Sequence, residues 1–263
     1  MGTDETFRFP LVDEYLGRLL GVDLATVTPG RLAVVESLRR LRRQLSYGFV
    51  HALWWVWLEG GRSAVSVPPG AGEAVRQVAD GVESSGDLFS PHLAEQLRAP
   101  VSRALVAAGL GEVDRVLHDL MFAAAAHLLR RHHHGDCRRL TDASIPAAPG
   151  LSLPEHCFPD GIAYGVVVGG WVVSVAYAHR SGVMEDRVTD LGVETAPGYR
   201  RRGYAKTAVS AVVHEVTSRG GEALYMCSPE NLASRATALG VGFVPCGRSL
   251  VLATEAPDLL AER

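Results

Sequence analysis

The alternation of apolar and polar positions is clearest in the second half of the chain. Ala205, Ala208, Val209, Val212, Val213 and Val216 recur at the spacing of one helical face, which predicts an amphipathic helix through Ser218, stopped by Gly220 and Gly221. Residues 187–195 read as a strand leading into it. Further upstream, residues 161–178 form an uncharged run of eighteen residues, formally long enough for a membrane span. Gly169 and Gly170 split that run into two β-branched segments, so the pattern predicts a hairpin of strands 162–168 and 171–178. Residues 137–140 predict a short strand, with Thr141 capping a short helical segment. Pro146, Pro149 and Pro154 then keep the chain irregular. Beyond the long helix, the pattern predicts a strand at 223–227, a short helix at 231–239 and last strands at 242–244 and 249–252.

The first half is less regular. Residues 9–20 suggest a helix, and Thr28 with Pro29 make a cap and first turn for a helix through Leu45. Residues 49–58 and 63–67, joined through Glu59, Gly60, Gly61 and Arg62, predict a β-hairpin. Helices are expected at 71–82, at 91–108 behind Ser90, and at 113–131. His132, His133 and His134 fall in a segment, 132–136, expected to be an exposed linker. Consecutive histidines cannot all face one ion on a helix or strand, and no cysteine or carboxylate pattern completes a tetrahedral set, so no metal is expected. Trp54, Trp55 and Trp57 suit either a stacked ligand or sheet packing, and alternation favours packing.

Composition narrows the classes. The chain has 263 residues, 47% of them hydrophobic, with a net charge of −3, enough for one large or two smaller domains. There is no global basic field for nucleic acid or an anionic membrane. Positive charge is local and almost all arginine, Lys206 being the single lysine, a bias that fits a GC-rich bacterial genome. Cys137, Cys157, Cys227 and Cys246 show no Cys-x-x-Cys spacing or disulfide framework. The first six residues are acidic and polar without a signal-peptide core, so a soluble cytoplasmic protein is expected.

The candidate chemistry lies between the strand at 187–195 and the long helix. Arg200, Arg201, Arg202, Gly203, Tyr204 and Ala205 carry the chain into a helix N-terminus, whose first N–H groups lack intrahelical acceptors and where the dipole adds positive potential. Gly203 lets a phosphate approach the backbone, and Ala205 keeps the first turn open. The segment is neither a Gly-x4-Gly-Lys-Ser/Thr loop nor a Gly-x-Gly-x-x-Gly fingerprint. Its pattern, Arg200-x-x-Gly203-x-Ala205, resembles the acyl-CoA pyrophosphate loop of the GNAT acyltransferase superfamily. A second segment, from Asn231 and Ser234 to Gly242 and Phe243, resembles that family's Asn-x-x-Ser…Gly-Phe stretch. Asp190 through Arg200 resembles the fourth strand of a bacterial branch with a Gly-Ile-Glu-Thr-like sequence. The element order agrees over residues 136–253.

The resemblance implies an α/β (α+β) fold, a mixed central sheet flanked by helices, with a GNAT domain at 137–254 and a polar tail at 255–263. Residues 1–131 would form an accessory region, either a degenerate GNAT-like α/β half or a helical lid or dimerisation module. It also implies acetyl-CoA, or another acyl-CoA, as co-substrate. Backbone amides of 201–205 would hold the pyrophosphate, with arginine side chains adding charge. Val193, Glu194 and Thr195 would line one side of the pantetheine and Cys227 and Ser228 the other. Asn231 and Ser234 would contact its arm or phosphates, unless they only cap a helix.

Acyl transfer to an amine needs a neutral amine, an N–H donor for the oxyanion and a proton for the thiolate. A backbone amide near Val193 or Glu194 is the expected oxyanion donor. Asp190 and Glu194 share a strand face by period-two spacing and are candidate bases, against a plainer role as rim charges. His156, beside Cys157, is a third candidate, against an ordinary loop histidine. Many family members carry a tyrosine seven residues after the motif asparagine as general acid, and here that position is Ala238. The expected activity is direct N-acylation of a small-molecule amine. O-acetylation of a natural-product hydroxyl and a non-catalytic acyl-CoA-binding or regulatory role are the alternatives. No nucleic-acid or membrane partner is expected, and a homodimer stays open.

Overall fold

The structure, a computed structural model, describes residues 8–44, 48–179 and 181–255. The readings made on the first six residues, on Leu45 and on residues 256–263 lie outside these. Helix α1 (Pro10–Leu20) opens on a proline, whose missing N–H costs nothing there, and ends at left-handed Gly21. The next segment departs from expectation. In place of a helix over 28–45, Thr28 and Pro29 form a turn closed by the Arg31 N–H on the Thr28 carbonyl at 3.0 Å. Strand β1 (Leu32–Glu36) and a 3-10 turn at Leu38–Leu41 follow. The β-branched pair Val34 and Val35 favours the strand, which lies at the sheet edge.

Strands β2 (Phe49–Leu58) and β3 (Ser63–Val67) make the expected hairpin, and helices α2 (Gly72–Ala79) and α3 (Pro91–Ala107) follow. Ser90 stands at the start of α3 without a side-chain capping bond. The helix expected over 113–131 is instead strand β4 (Arg115–Ala124) and a 3-10 turn at Ala126–Leu128. Val116, Leu117, Leu120, Met121 and Ala124 do carry helical spacing, but the segment pairs with a strand on each side, and that pairing overrides local preference.

The remainder is strand β5 (Asp136–Arg139), hairpin β6 (Ala163–Val168) and β7 (Trp171–Ala178), strand β8 (Val188–Thr195), helix α4 (Tyr204–Ser218), strand β9 (Glu222–Cys227), helix α5 (Leu232–Val241) and strand β10 (Val244–Glu255). No helix follows Thr141; between β5 and β6 the prolines leave only a 3-10 turn at Glu155–Cys157. The two short last strands expected from the sequence are one long strand. The uncharged run at 161–178 is the hairpin, and no helix among the described residues is long and apolar enough to cross a membrane.

The ten strands of the described residues form one sheet, in the order β1-β3-β2-β10-β4-β9-β8-β7-β6-β5. Strand β4, from the first half, lies between β9 and β10 of the second. Helix α1 covers one face, where Leu16, Leu20, Trp54, Met121, Leu224 and Val251 pack together. Helix α4 covers the other face with Val209, Val212 and Val213 against Val166, Val175 and Tyr225. Helices α2 and α3 bury Trp55, Val65, Leu97 and Leu250 at the far end.

One irregularity positions the site. The parallel strands β8 and β9 pair only over residues 188–190 and 222–224. Past that point β8 stays with β7 as far as Thr195 opposite Ser174, while β9 stays with β4 as far as Cys227 opposite Leu120. The sheet therefore opens as a wedge, exposing backbone N–H and C=O groups along both inner edges.

Candidate functional site

A hollow lies on each face of the wedge. On the α4 face a groove of about 680 Å³ is lined by Val193, Glu194 and Thr195 of β8, the loop with Arg200, Arg201 and Gly203, and Tyr204, Ala205 and Lys206 of α4. Tyr225 of β9 and Asn231, Ser234 and Thr237 of the α5 segment form the opposite wall. Gly203 occupies the N-cap of α4 at φ 82°, and no side chain caps the helix. Its first-turn N–H groups and positive dipole end therefore face the groove. Arg201 is also left-handed, at φ 62°, so the loop curls its amides inward. Arg200 donates from Nε to the Thr195 carbonyl at 3.3 Å. Arg202 is not in the lining: it donates to the Gly198 carbonyl at 3.2 Å and lies over the Tyr199 ring.

Asn231 caps α5, its side-chain oxygen accepting the Ser234 N–H at 3.0 Å. The Ser234 hydroxyl in turn meets the Tyr225 hydroxyl at 3.0 Å, and burial pushes that phenol up to about 12. Tyr225 was not among the sequence candidates, because a tyrosine inside an apolar strand reads as core. Ala238 is fully buried and presents no polar atom.

The histidine segment, exposed over residues 133–136, is tied to α4 and α5. The His134 N–H donates to Thr207 Oγ1 at 3.0 Å, the His132 ring contacts the Gly240 carbonyl at 2.9 Å, and both residues line the groove.

On the α1 face, a cavity of about 310 Å³ is lined by His51 and Trp54 of β2, Val116, Leu117, His118 and Asp119 of β4, and Val251 of β10. His179, Asp190, Leu191, Met226, Ser228 and Glu230 complete it. Asp190 is buried and Asp119 partly so. Burial, with a further contribution from the charge of Asp190, pushes the Asp119 carboxyl up to about 6. Burial and then the charge of Arg40 take His51 down to about 3, and burial lowers His118. Arg40 is itself fully buried, donating to the carbonyls of Leu19 at 2.5 Å and His51 at 3.3 Å, with its guanidinium over the Trp54 ring. Trp55 is core, its indole N–H on Ser63 at 2.8 Å.

The three expected proton-transfer residues are dispersed. Asp190 lines the cavity and Glu194 the groove, where Glu194 accepts the Ser152 N–H at 3.4 Å. They share a face of β8, but four residues of strand separate them by about 13 Å. His156 lines neither hollow. Its ring stands edge-on to Tyr177 at 5.6 Å, and Tyr177 meets His179 at 5.2 Å. Cys157 is buried, its thiol on the Ala178 carbonyl at 3.2 Å. Asp119 was missed because residues 113–131 read as a helix. The one available signal was a charged residue and a histidine embedded between Leu117 and Leu120.

The family model described as acetyltransferase (GNAT) family matches residues 124–243. No curated protein sequence matches the chain. Among solved structures, the chain is similar to a GNAT-family acetyltransferase described as putative from Novosphingobium aromaticivorans, at 20% identity over 56% of this chain and 68% of that one, with a TM-score of 0.45. It is also similar to an acetyltransferase from the GNAT family of Colwellia psychrerythraea, at 15% identity over 57% and 62% of the two chains and a TM-score of 0.42. A GCN5-related N-acetyltransferase from Kribbella flavida is similar over 84% of this chain and 92% of that one, at 16% identity and a TM-score of 0.42. The chain spans about three fifths of the length of several such structures.

Proposed function

Since residues 124–243 belong to the acetyltransferase (GNAT) family, whose co-substrate is an acyl-CoA, we propose that this chain transfers an acetyl or related acyl group from coenzyme A to the amine of a small molecule. The observation that carries this reading is the uncapped N-terminus of α4 behind Gly203, facing a groove with Arg200, Arg201 and Lys206 at the mouth of the β8–β9 wedge. Orphan N–H groups, a helix dipole and three cations suit a pyrophosphate. The inner edge of β8 at Val193, Glu194 and Thr195 offers free backbone groups to an extended arm, as a neighbouring strand would.

Bound acyl-CoA supplies the electrophile, a thioester carbon. This chain's residues do the rest. A backbone N–H of β8 near Val193 or Glu194 donates to the oxygen as negative charge develops on it. The Tyr225 and Ser234 hydroxyls stand on the groove wall and can pass a proton to the departing sulfur, a role that Ala238 has no atom to fill. Asn231 holds the start of α5 in place for that pair.

Calorimetry with acetyl-CoA tests the reading. Binding that is abolished in Gly203→Glu supports it, and absence of binding to the intact chain overturns it. Thiol release with amines and alcohols then separates N-acylation from O-acylation and from binding without turnover.

A further inference from the structure

The cavity on the α1 face is built from both halves of the chain. Trp54 and Asp119 come from β2 and β4; Asp190 and Glu230 come from β8 and the loop after β9. At about 310 Å³ it is at the small end of ligand sites. Two of its side chains carry a polar atom without a partner among the described residues. The Trp54 side chain is buried and its indole N–H has no acceptor among the described residues, nor has His118 Nε2 a partner there. Among the described residues the Asp119 carboxylate receives one long bond, from the Ser249 hydroxyl at 3.4 Å. A buried polar group without a partner is costly, so the indole N–H beside the carboxylates points to a ligand, one that offers a donor to the carboxylates and an acceptor to the indole. Among the described residues no lysine or arginine lines the cavity, and His51 and His118 are held neutral at pH 7. Carboxylates, neutral imidazoles and apolar walls of Leu117, Leu191 and Met226 suit a cation on a small apolar body.

We propose that this cavity is the acceptor site, that it takes a small primary amine with its ammonium group on Asp119, and that Asp119 accepts the amine proton. The inference rests on the acyl-CoA reading of the groove across the wedge. The first half of the chain is then part of the catalytic apparatus. Asp119 is faced by Asp190 from β8, by Ser249 from β10, by Cys227 of β9 and Glu230 beyond it, and by His51 and His179 across the cavity. Two neighbouring carboxyls resist ionising together, which keeps one of them basic enough to act near neutrality. The ammonium gives one proton to Asp119, and the free amine attacks the thioester carbon. The C–S bond breaks with its electron pair on sulfur. The second nitrogen proton passes to that thiolate, and the proton on Asp119 returns to solvent, leaving an amide, free coenzyme A and one released proton.

The test is thiol release from acetyl-CoA with putrescine, ethanolamine, histamine and phenethylamine, alongside acetyl-CoA calorimetry on the same samples. The wild type is expected to turn over at least one amine, with kcat/KM rising with pH through about 6. Asp119→Asn should lower kcat/KM at least 100-fold with the acetyl-CoA Kd within twofold, and Asp119→Glu should recover part of the loss. Unchanged kcat/KM in Asp119→Asn, or no turnover of any of these amines by a wild type that binds acetyl-CoA, overturns the proposal. A wild type that does not bind acetyl-CoA instead removes the donor reading, and this one with it. If Asp119→Asn fails to fold, Asp119→Glu, which keeps the charge and moves the carboxylate by one methylene, carries the test: its kcat/KM should stay below that of the wild type, and an unchanged value there also overturns the proposal.

Discussion

The imidazole of His134 packs so closely on Gly203 that a Cβ at Gly203 would meet its Cδ2 at 2.6 Å. Gly203 also holds φ at 82°, a region that strains any L side chain. Gly203→Ala is expected to lower stability by about 1 kcal/mol or more and to weaken acetyl-CoA binding roughly tenfold. Adding His134→Ala relieves the crowding and leaves the backbone strain. Thermal denaturation of both variants should therefore show partial recovery in the double variant, and complete recovery would assign the whole cost to the ring.

The Tyr225 and Ser234 hydroxyls are 3.0 Å apart on the groove wall. Tyr225→Phe removes one hydroxyl and little volume. Under the proposed function kcat should fall about tenfold with the acetyl-CoA Kd unchanged, and stability by about 1 kcal/mol from the lost bond. A variant with wild-type kcat would mean that the sulfur leaves without help from this pair.

Asp119 also bears on folding. Its carboxyl is raised from 3.8 to about 6 in the folded chain. A raised acid favours the native state while protonated, so its contribution is present below about pH 4 and is lost as the pH climbs through about 6. At about 1.4 kcal/mol per unit, the wild type forfeits at most about 3 kcal/mol that Asp119→Asn retains. Urea midpoints should then coincide near pH 4 and favour Asp119→Asn at pH 7.5. Parallel pH profiles for the two proteins would rule out this burial effect.

Arg40 is buried with its charge spread over two carbonyls and an indole ring. Arg40→Ala strands the Leu19 and His51 carbonyls and opens a cavity, for an expected cost of about 3 kcal/mol in chemical denaturation. Arg40→Met, which keeps the volume, should cost less. Equal losses in the two variants would mean that packing contributes nothing.

The groove on the α4 face was legible because its signals are local. The strand 187–195, the loop through Gly203 and the helix behind it follow one another in the chain, and of the expected groove positions Arg202, Cys227 and Ser228 do not line it, Ser228 lining the cavity on the α1 face instead. The cavity on the α1 face was not legible for the opposite reason. Asp119 meets Asp190 and Ser249 only through strand pairing across more than seventy positions of sequence, which no window of periodicity samples. Residues 113–124 carry helical spacing and alanines, and residues 28–41 carry a good cap; in both places sheet partners outweighed local preference.

The family match begins at residue 124, the last residue of β4, so it omits the strand that fills the gap between β9 and β10. A polypeptide started at residue 137 would lack both β2 and β4, leaving β9 with a bare edge and β10 without a neighbour, a template for self-association. A cut at the apparent boundary therefore breaks the sheet itself.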